Sequence, residues 1–250
     1  MTRIADLKLK CPCCRKTFIS SVWISTNKGP ISTDFYQTSF GLQPMHFEIH
    51  TCIFCGYSGY SEDFDKRKID KALKAMIEER IGLYICRKGV SPEKKYEYAA
   101  WIGEASGENS LDIGRLYLKA AWCFPEDCGH GKRKKKRYYR RKAIEHFEMA
   151  WQGKEIPKRI EVIFLYLIGE LFRRVGEGRK AVLWFDYVIE ALEENPERAW
   201  LLDLADQQRT RPRETMIAYD EEVSWFSAKI MSSVPVQKWG LVEVEEGMDR

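Results

Sequence analysis

The hydrophobic repeat of this chain changes near residue 63. Before that point apolar positions alternate with polar ones. Leu7 and Leu9 lead into a first group of cysteines, and Phe18, Ile19, Val22, Trp23 and Ile24 lead out of it. Met45, Phe47 and Ile49 alternate with His46, Glu48 and His50 ahead of a second group. A repeat of two is strand spacing, so these segments are expected to be short strands. Turn signals at Asn27-Lys28-Gly29-Pro30 and Gly41-Leu42-Gln43-Pro44 separate them. From residue 63 the repeat becomes 3.6, with Ile69, Leu73, Met76, Ile77, Ile81 and Tyr84 on one stripe. Further helices are expected over 92–105, 110–124, 137–152, 157–175, 177–194 and 196–218. Breaks fall at Ser91-Pro92, Ser106-Gly107, Phe124-Pro125, Gly153, Gly176 and Asn195-Pro196.

The cysteines give the first segment its chemistry. Cys11-Pro12-Cys13-Cys14 and Cys52-Ile53-Phe54-Cys55 are two CxxC pairs. A two-residue spacer turns the chain so that both sulfurs face one metal, and two such pairs supply a tetrahedral set of four thiolates. Gly56 suits the left-handed position that follows a knuckle, and Arg15 takes the matching place after the first pair. Cys11, Cys14, Cys52 and Cys55 are therefore the expected Zn2+ ligands of a zinc ribbon. Cys13 competes by position, but the spacing favours Cys14 and leaves Cys13 pointing away. His46 and His50 are expected at the surface, since four thiolates already close the site. The predicted fold is mainly α, with a small N-terminal β zinc ribbon over 1–62 and a helical domain over 63–220. The helical domain carries a basic insertion at about 125–142, and a tail runs over 221–250, in which 234–244 alternates like a strand.

One pair of helices is more specific. Leu165, Ile168, Gly169, Phe172, Gly176, Ala181, Phe185 and Val188 fall in the order and spacing of a tetratricopeptide repeat. Gly169 permits close approach of two helices, Gly176 makes the turn, and Ala181 is the small residue at the crossing. Ala143, Phe147 and Ala150 repeat the second-helix part, with Tyr117, Leu118 and Trp122 on the helix before them. Antiparallel tetratricopeptide-like hairpins are thus expected, and such hairpins present grooves to protein or peptide partners.

Net charge is only +4, yet Lys132, Arg133, Lys134, Lys135, Lys136, Arg137, Arg140, Arg141 and Lys142 form one block without an acid. Such a block is expected to be frayed when alone. It serves as a local RNA- or DNA-binding surface with Tyr138 and Tyr139 available to stack on bases, or as a solvated insertion. Cys123, Cys128 and His130, with Cys86, contain the ligand types of a second metal site at irregular spacing. No glycine-rich phosphate loop, GxSxG or HExxH occurs, and a zinc closed by four thiolates offers substrate no open position. No apolar run reaches the roughly 20 residues of a membrane span, and no apolar leader opens the chain, so the expected location is cytoplasmic. The expected function is a non-enzymatic adaptor for a protein or peptide partner, without membrane. The alternative is a nucleic-acid-binding protein using the ribbon and the run 132–142, and a thiol redox sensor around Cys13 is a third class.

The order of these features resembles an uncharacterised prokaryotic family, a domain of unknown function numbered DUF 2225. The resemblance is carried by Cys11-Pro12-Cys13-Cys14 followed by Phe18, by Asp34-Phe35, and by Cys55-Gly56-Tyr57. Ala121-Trp122 and the stretch from Tyr166 to Leu171 continue it. It implies a zinc ribbon joined to tetratricopeptide-like helices and supplies no activity. The basic insertion and Cys123/Cys128 lie outside its pattern.

Overall fold

The computed structural model describes residues 3–85, 89–126, 128–193, 198–212, 216–217, 221–232 and 234–235. The fold is mainly α with a small N-terminal β part. The chain divides into two compact units that do not follow sequence order. The first contains Met1–Gly29, Thr38–Asn109 and Arg115–Tyr139, and the second contains Pro30–Gln37, Ser110–Gly114 and Arg140–Arg250. The boundary expected at residue 62 falls inside the first unit.

In the first unit, β1 (Arg3–Lys10) and β2 (Thr17–Ser25) form an antiparallel ribbon, with Leu9 opposite Phe18. Those two side chains are buried while their neighbours Lys8, Lys10, Thr17 and Ile19 are exposed, as a pleated strand with one covered face requires. The alternation over Met45–Ile49 does not make a strand. Pro44–Phe47 is a 3-10 turn, and only β5 (His50–Thr51) and β6 (Ser58–Gly59) pair across the second knuckle. Pro44 opens the turn with a preset φ, and Met45 and Ile49, four residues apart, are both buried. After the short α1 (Asp63–Lys66), α2 (Lys71–Arg80) starts at Asp70, whose side chain accepts a 2.8 Å hydrogen bond from the Leu73 amide. Leu73, Ile77 and Ile81 from this helix enter the same core as Cys11, Cys13, Cys52, Cys55, Tyr57 and Phe64. Tyr98 and Ile102 of α3 (Pro92–Ala105) close that core. Lys119, on α4 (Ser110–Trp122), is fully buried and donates to Glu48 at 2.7 Å and to the Tyr60 hydroxyl at 3.1 Å. Burial pushes its ammonium down to about 8, against the pull of Glu48.

The second unit is built from α6 (Lys158–Arg174), α7 (Gly178–Glu193), α8 (Ala199–Thr210), α9 (Glu221–Met231) and the later part of α5 (His130–Gln152). A Cβ on Gly169 would stand 2.9 Å from Phe185 Cε1 and 3.1 Å from Trp184 Cβ, so α6 and α7 cross where any side chain forces its neighbours to shift. Gly176 turns between them at φ 81°. Gly114 plays the same part against Phe147, whose Cε1 lies 2.5 Å from the Cβ position. The helix expected over 196–218 stops at Thr210, with Arg211 outside the helical region at φ −138° and ψ 68° ahead of Pro212. A two-residue strand, β7 (Met216–Ile217), then pairs with β3 (Lys28–Ser32), placing Ile31 opposite Ile217. β4 (Gln37–Ser39) completes the strand inventory of the described residues. The expected strand over 234–244 lies almost wholly outside them.

Candidate metal centre

The two knuckles share one hydrogen-bond pattern. Cys11 N–H donates to Lys16 O at 2.9 Å and Arg15 N–H to Cys11 O at 2.9 Å, while Cys52 N–H donates to Tyr57 O at 2.8 Å and Gly56 N–H to Cys52 O at 2.9 Å. Each turn ends on a left-handed residue, Arg15 at φ 63° and Gly56 at φ 85°. Glycine adopts that conformation freely and arginine at a cost. Gly56 is further required because a Cβ there would collide with Ile81 Cγ2.

These turns bring four sulfurs together. Cys11 Sγ lies 3.6 Å from Cys55 Sγ, and Cys14 Sγ lies 3.6 Å from Cys52 Sγ. All four lie within 4.8 Å of one another. A tetrahedron with metal–sulfur bonds of about 2.3 Å has sulfur–sulfur edges of about 3.8 Å, so the donor set fits a metal ion held by four thiolates. Cys11 and Cys52 are fully buried, Cys55 nearly so, and Cys14 is partly exposed. Hydrogen bonds from Cys11 and Cys55 hold the Cys52 thiol far below its ordinary range. The same contacts push Cys11 up to about 12 and raise Cys55. Sulfurs this close cannot all ionise without a cation among them, and a bound divalent ion supplies that charge.

One histidine sits differently from expectation, and a fifth thiol is buried beside the site. His50 is buried rather than at the surface. Its Nδ1 is 2.8 Å from Ser20 Oγ, its ring packs on Phe64, and burial lowers it to about 4. His46 is likewise lowered by burial. Cys13 stays out of the gathered group, as the spacing leads one to expect, but it is 6% exposed and lies in the core with Cys11, Cys52 and Cys55 rather than at the surface. Pro12 beside it is also buried, so the knuckle runs inward at this point. Cys86 lies outside the described residues. Among the described ones, the only gathered metal-binding group is Cys11, Cys14, Cys52 and Cys55, so Cys123, Cys128 and His130 do not assemble. Cys123 Sγ instead donates to Lys119 O at 3.3 Å.

The basic run is not a loose insertion. It forms the first half of α5, which starts at His130 rather than at residue 137. Lysine and arginine are good helix formers, and Lys136, Tyr139, Arg140, Ala143 and Phe147 line up as one buried stripe. Lys136 pairs with Glu126 at 2.7 Å in the first unit, and Arg140 lies 3.7 Å from Asp34 in the second. These two cations are therefore spent on the protein's own acids and are withdrawn from the candidate nucleic-acid surface. Arg141 pairs with Glu177 and Lys142 with Glu145. Lys132, Arg133, Lys134, Lys135 and Arg137 remain exposed beside the exposed ring of Tyr138.

A further group escapes the sequence reading. In the second unit, Thr33, Asp34 and Phe35 are all essentially unexposed. Arg174 donates to Thr33 Oγ1 at 2.8 Å and lies 3.6 Å from Asp34 Oδ2, while Thr33 donates to Glu170 at 2.5 Å. Phe35, held at φ 64°, packs on Tyr166 and on Phe226, and Ser227 donates to its carbonyl at 2.9 Å. Thr33, Asp34 and Phe35 are thus part of the buried interior among these helices. The signal in the sequence is Glu170, a carboxylate in an otherwise apolar helix face.

A family profile described as "Uncharacterized protein conserved in bacteria (DUF2225)" matches residues 4–211. No curated protein matches the chain, and no solved structure does.

Proposed function

The chain belongs to that bacterial family, whose description carries no activity, and from its geometry we propose a zinc-stapled, non-enzymatic interaction module. Cys11, Cys14, Cys52 and Cys55 hold Zn2+ as thiolates and the ion pins both knuckles to one core. The support is the set of four sulfurs within 4.8 Å of one another, each delivered by a hydrogen-bonded knuckle. A site closed by four thiolates stabilises a fold and leaves no coordination position for substrate. Because Leu73, Ile77 and Ile81 share that core, α2 depends on the ion as well.

The helices of the second unit are tetratricopeptide-like hairpins that take a protein partner on an outer face. Thr33, Asp34 and Phe35 lie in their interior, so the surface that favours a partner is a patch on α5 and α7. There Trp151, Trp184 and Tyr187 pack together at 5.0–6.1 Å between ring centres, beside Leu183, which is 59% exposed. Trp184 is buried beneath this patch, and Tyr187, 46% exposed, stands with Leu183 at the surface of α7, an aromatic and an aliphatic side chain of the kind that anchor interfaces. Capture of partners from a native lysate, with and without nuclease, tests this. A nuclease-resistant protein partner lost in Leu183→Asp supports the reading.

A second reading has its own observation. Lys132, Lys134, Lys135 and Arg137 project from an ordered helix with Tyr138 between solvent and core, an arrangement suited to single-stranded RNA or DNA. Partners that vanish with nuclease favour it over the protein partner.

A further inference from the structure

The ribbon in the first unit has an open side. β1 pairs with β2 along one edge, and among the described residues no strand pairs with β2 along the other. In an antiparallel pair every second residue turns its N–H and C=O away from the partner strand. Those groups of β2 have no backbone partner among the described residues. Natural edge strands are commonly guarded by charge, proline or a bulge. β1 carries Arg3, Asp6, Lys8 and Lys10, but β2 reads Thr-Phe-Ile-Ser-Ser-Val-Trp-Ile-Ser, with no charge and no proline over its 9 residues. The one register shift in the pair, at Arg3 and Ile4, falls at the far end of the ribbon. Phe18 faces the core, so Ile19 and every second residue after it face the other way. On that outer face Ile19 is 66% exposed, and Trp23 is exposed beside Ile4, which lies opposite it on β1.

We propose that β2 is a dimerisation edge, which pairs antiparallel with β2 of a second copy about a two-fold axis at Ser21 and joins the two ribbons into one four-stranded sheet. The sequence of the strand is complementary to itself in that register. Ser21 meets its own equivalent, and Ile19 stands opposite the second copy's Trp23. The two-fold axis makes this contact twice. An aromatic ring opposite a β-branched side chain is a favourable cross-strand pair, and both lie on the exposed outer face. No like charges meet, because β2 has none. Pairing through β1 would instead set three cations and a single acid against their own copies. An uncharged strand also gives a charged peptide nothing to select it, which favours a second copy as the occupant. An interface built on one strand pair belongs to the small class, under roughly 1,200 Å2, so the dimer should form and dissociate with concentration.

Sedimentation equilibrium of the full chain over a concentration series tests the pairing. Wild type is expected to pass from monomer to dimer and no further. Ile19→Glu and Trp23→Lys should each weaken the dimer on the order of tenfold, since each removes both Ile19–Trp23 pairs. The double variant Ile19→Glu/Trp23→Lys should recover the dimer, because the register sets position 19 of one copy against position 23 of the other and the two new charges are opposite. Melting followed by circular dichroism separates lost pairing from lost folding. Each variant is expected to melt near wild type, as both side chains are exposed. A wild type that stays monomeric throughout, or that grows beyond the dimer, overturns the proposal. Single variants that dimerise like wild type overturn it too, as does a folded double variant as monomeric as its parents. Either single variant read against wild type decides the matter where the other does not fold.

Discussion

Gly169 lies where α6 meets α7, and replacing it measures how tightly that hairpin is built. A Cβ placed there meets Phe185 Cε1 at 2.9 Å, Phe185 Cδ1 at 3.0 Å and Trp184 Cβ at 3.1 Å. Carbon atoms rest at about 3.5–4.0 Å, so each contact is short by roughly half an ångström. Phe185 is fully buried and lies against Tyr166 at 5.7 Å between ring centres, so the ring has nowhere to retreat. Overpacking of this kind costs about 1–3 kcal/mol. Alanine recovers about 1 kcal/mol because it is a better helix former than glycine. Gly169→Ala should therefore lose about 0–2 kcal/mol net. Gly169→Leu, with three further carbons to place, should lose about 3 kcal/mol, or roughly 6–12 °C in a domain of this size. Gly178 provides the contrast, since nothing lies within 4 Å of its Cβ position. Gly178→Ala should be neutral or stabilise by about 0.4–1 kcal/mol. Urea and thermal unfolding by circular dichroism on the three variants read these differences, with zinc content expected to stay at the wild-type level. A Gly169→Leu protein that melts with the wild type would refute the close crossing of α6 and α7.

Asp34→Ala should cost about 3–5 kcal/mol, because Arg140 and Arg174, 6% and 2% exposed, lose the carboxylate that faces both; a urea midpoint unchanged from wild type would contradict this. For the basic helix, Lys132, Lys134, Lys135 and Arg137→Gln should remove RNA or DNA binding without altering zinc content, whereas Lys136→Gln should act on stability through Glu126. If about four charges reach phosphates, the logarithmic salt slope is roughly −3 to −4 and affinity falls on the order of 100-fold between about 50 and 200 mM salt. Fluorescent oligonucleotide titration checks this, and equal affinity in wild type and the quadruple variant would leave the helix without that role. Gly56→Ala should weaken zinc binding, read by competition with a chelator, since it strains the φ 85° turn and drives Ile81 off the second knuckle.

Strong local signals are legible in the chain and long-range ones are not. The knuckle cysteines can be read because their spacing alone dictates which sulfurs converge. The bounds of α3 and the crossing at Gly169 can be read because Pro92 and a small-residue pattern encode them directly. The run 132–142 misleads because its charge hides its pattern. The stripe Lys136, Tyr139, Arg140, Ala143 is amphipathic only once Glu126 and Asp34 are known to face it. Met45 and Ile49 fit a strand and a tight turn equally well, and Pro44 decides between them. Ligand spacing places Cys13 outward, but spacing says nothing about which neighbours surround the knuckle. The burial of Thr33, Asp34 and Phe35 depends on side chains more than a hundred positions away, such as Glu170 and Arg174, and no local pattern contains that information.

In the reading proposed above, four cysteines from two knuckles hold one zinc ion and the ion maintains the core around them. Elemental analysis of purified protein, paired with circular dichroism before and after chelation, tests this most directly. One zinc per wild-type chain is expected, with loss of the metal in Cys52→Ser and Cys55→Ser, and loss of ordered structure when a chelator removes the ion. Wild-type protein without zinc, or Cys55→Ser with its full zinc content, would contradict it.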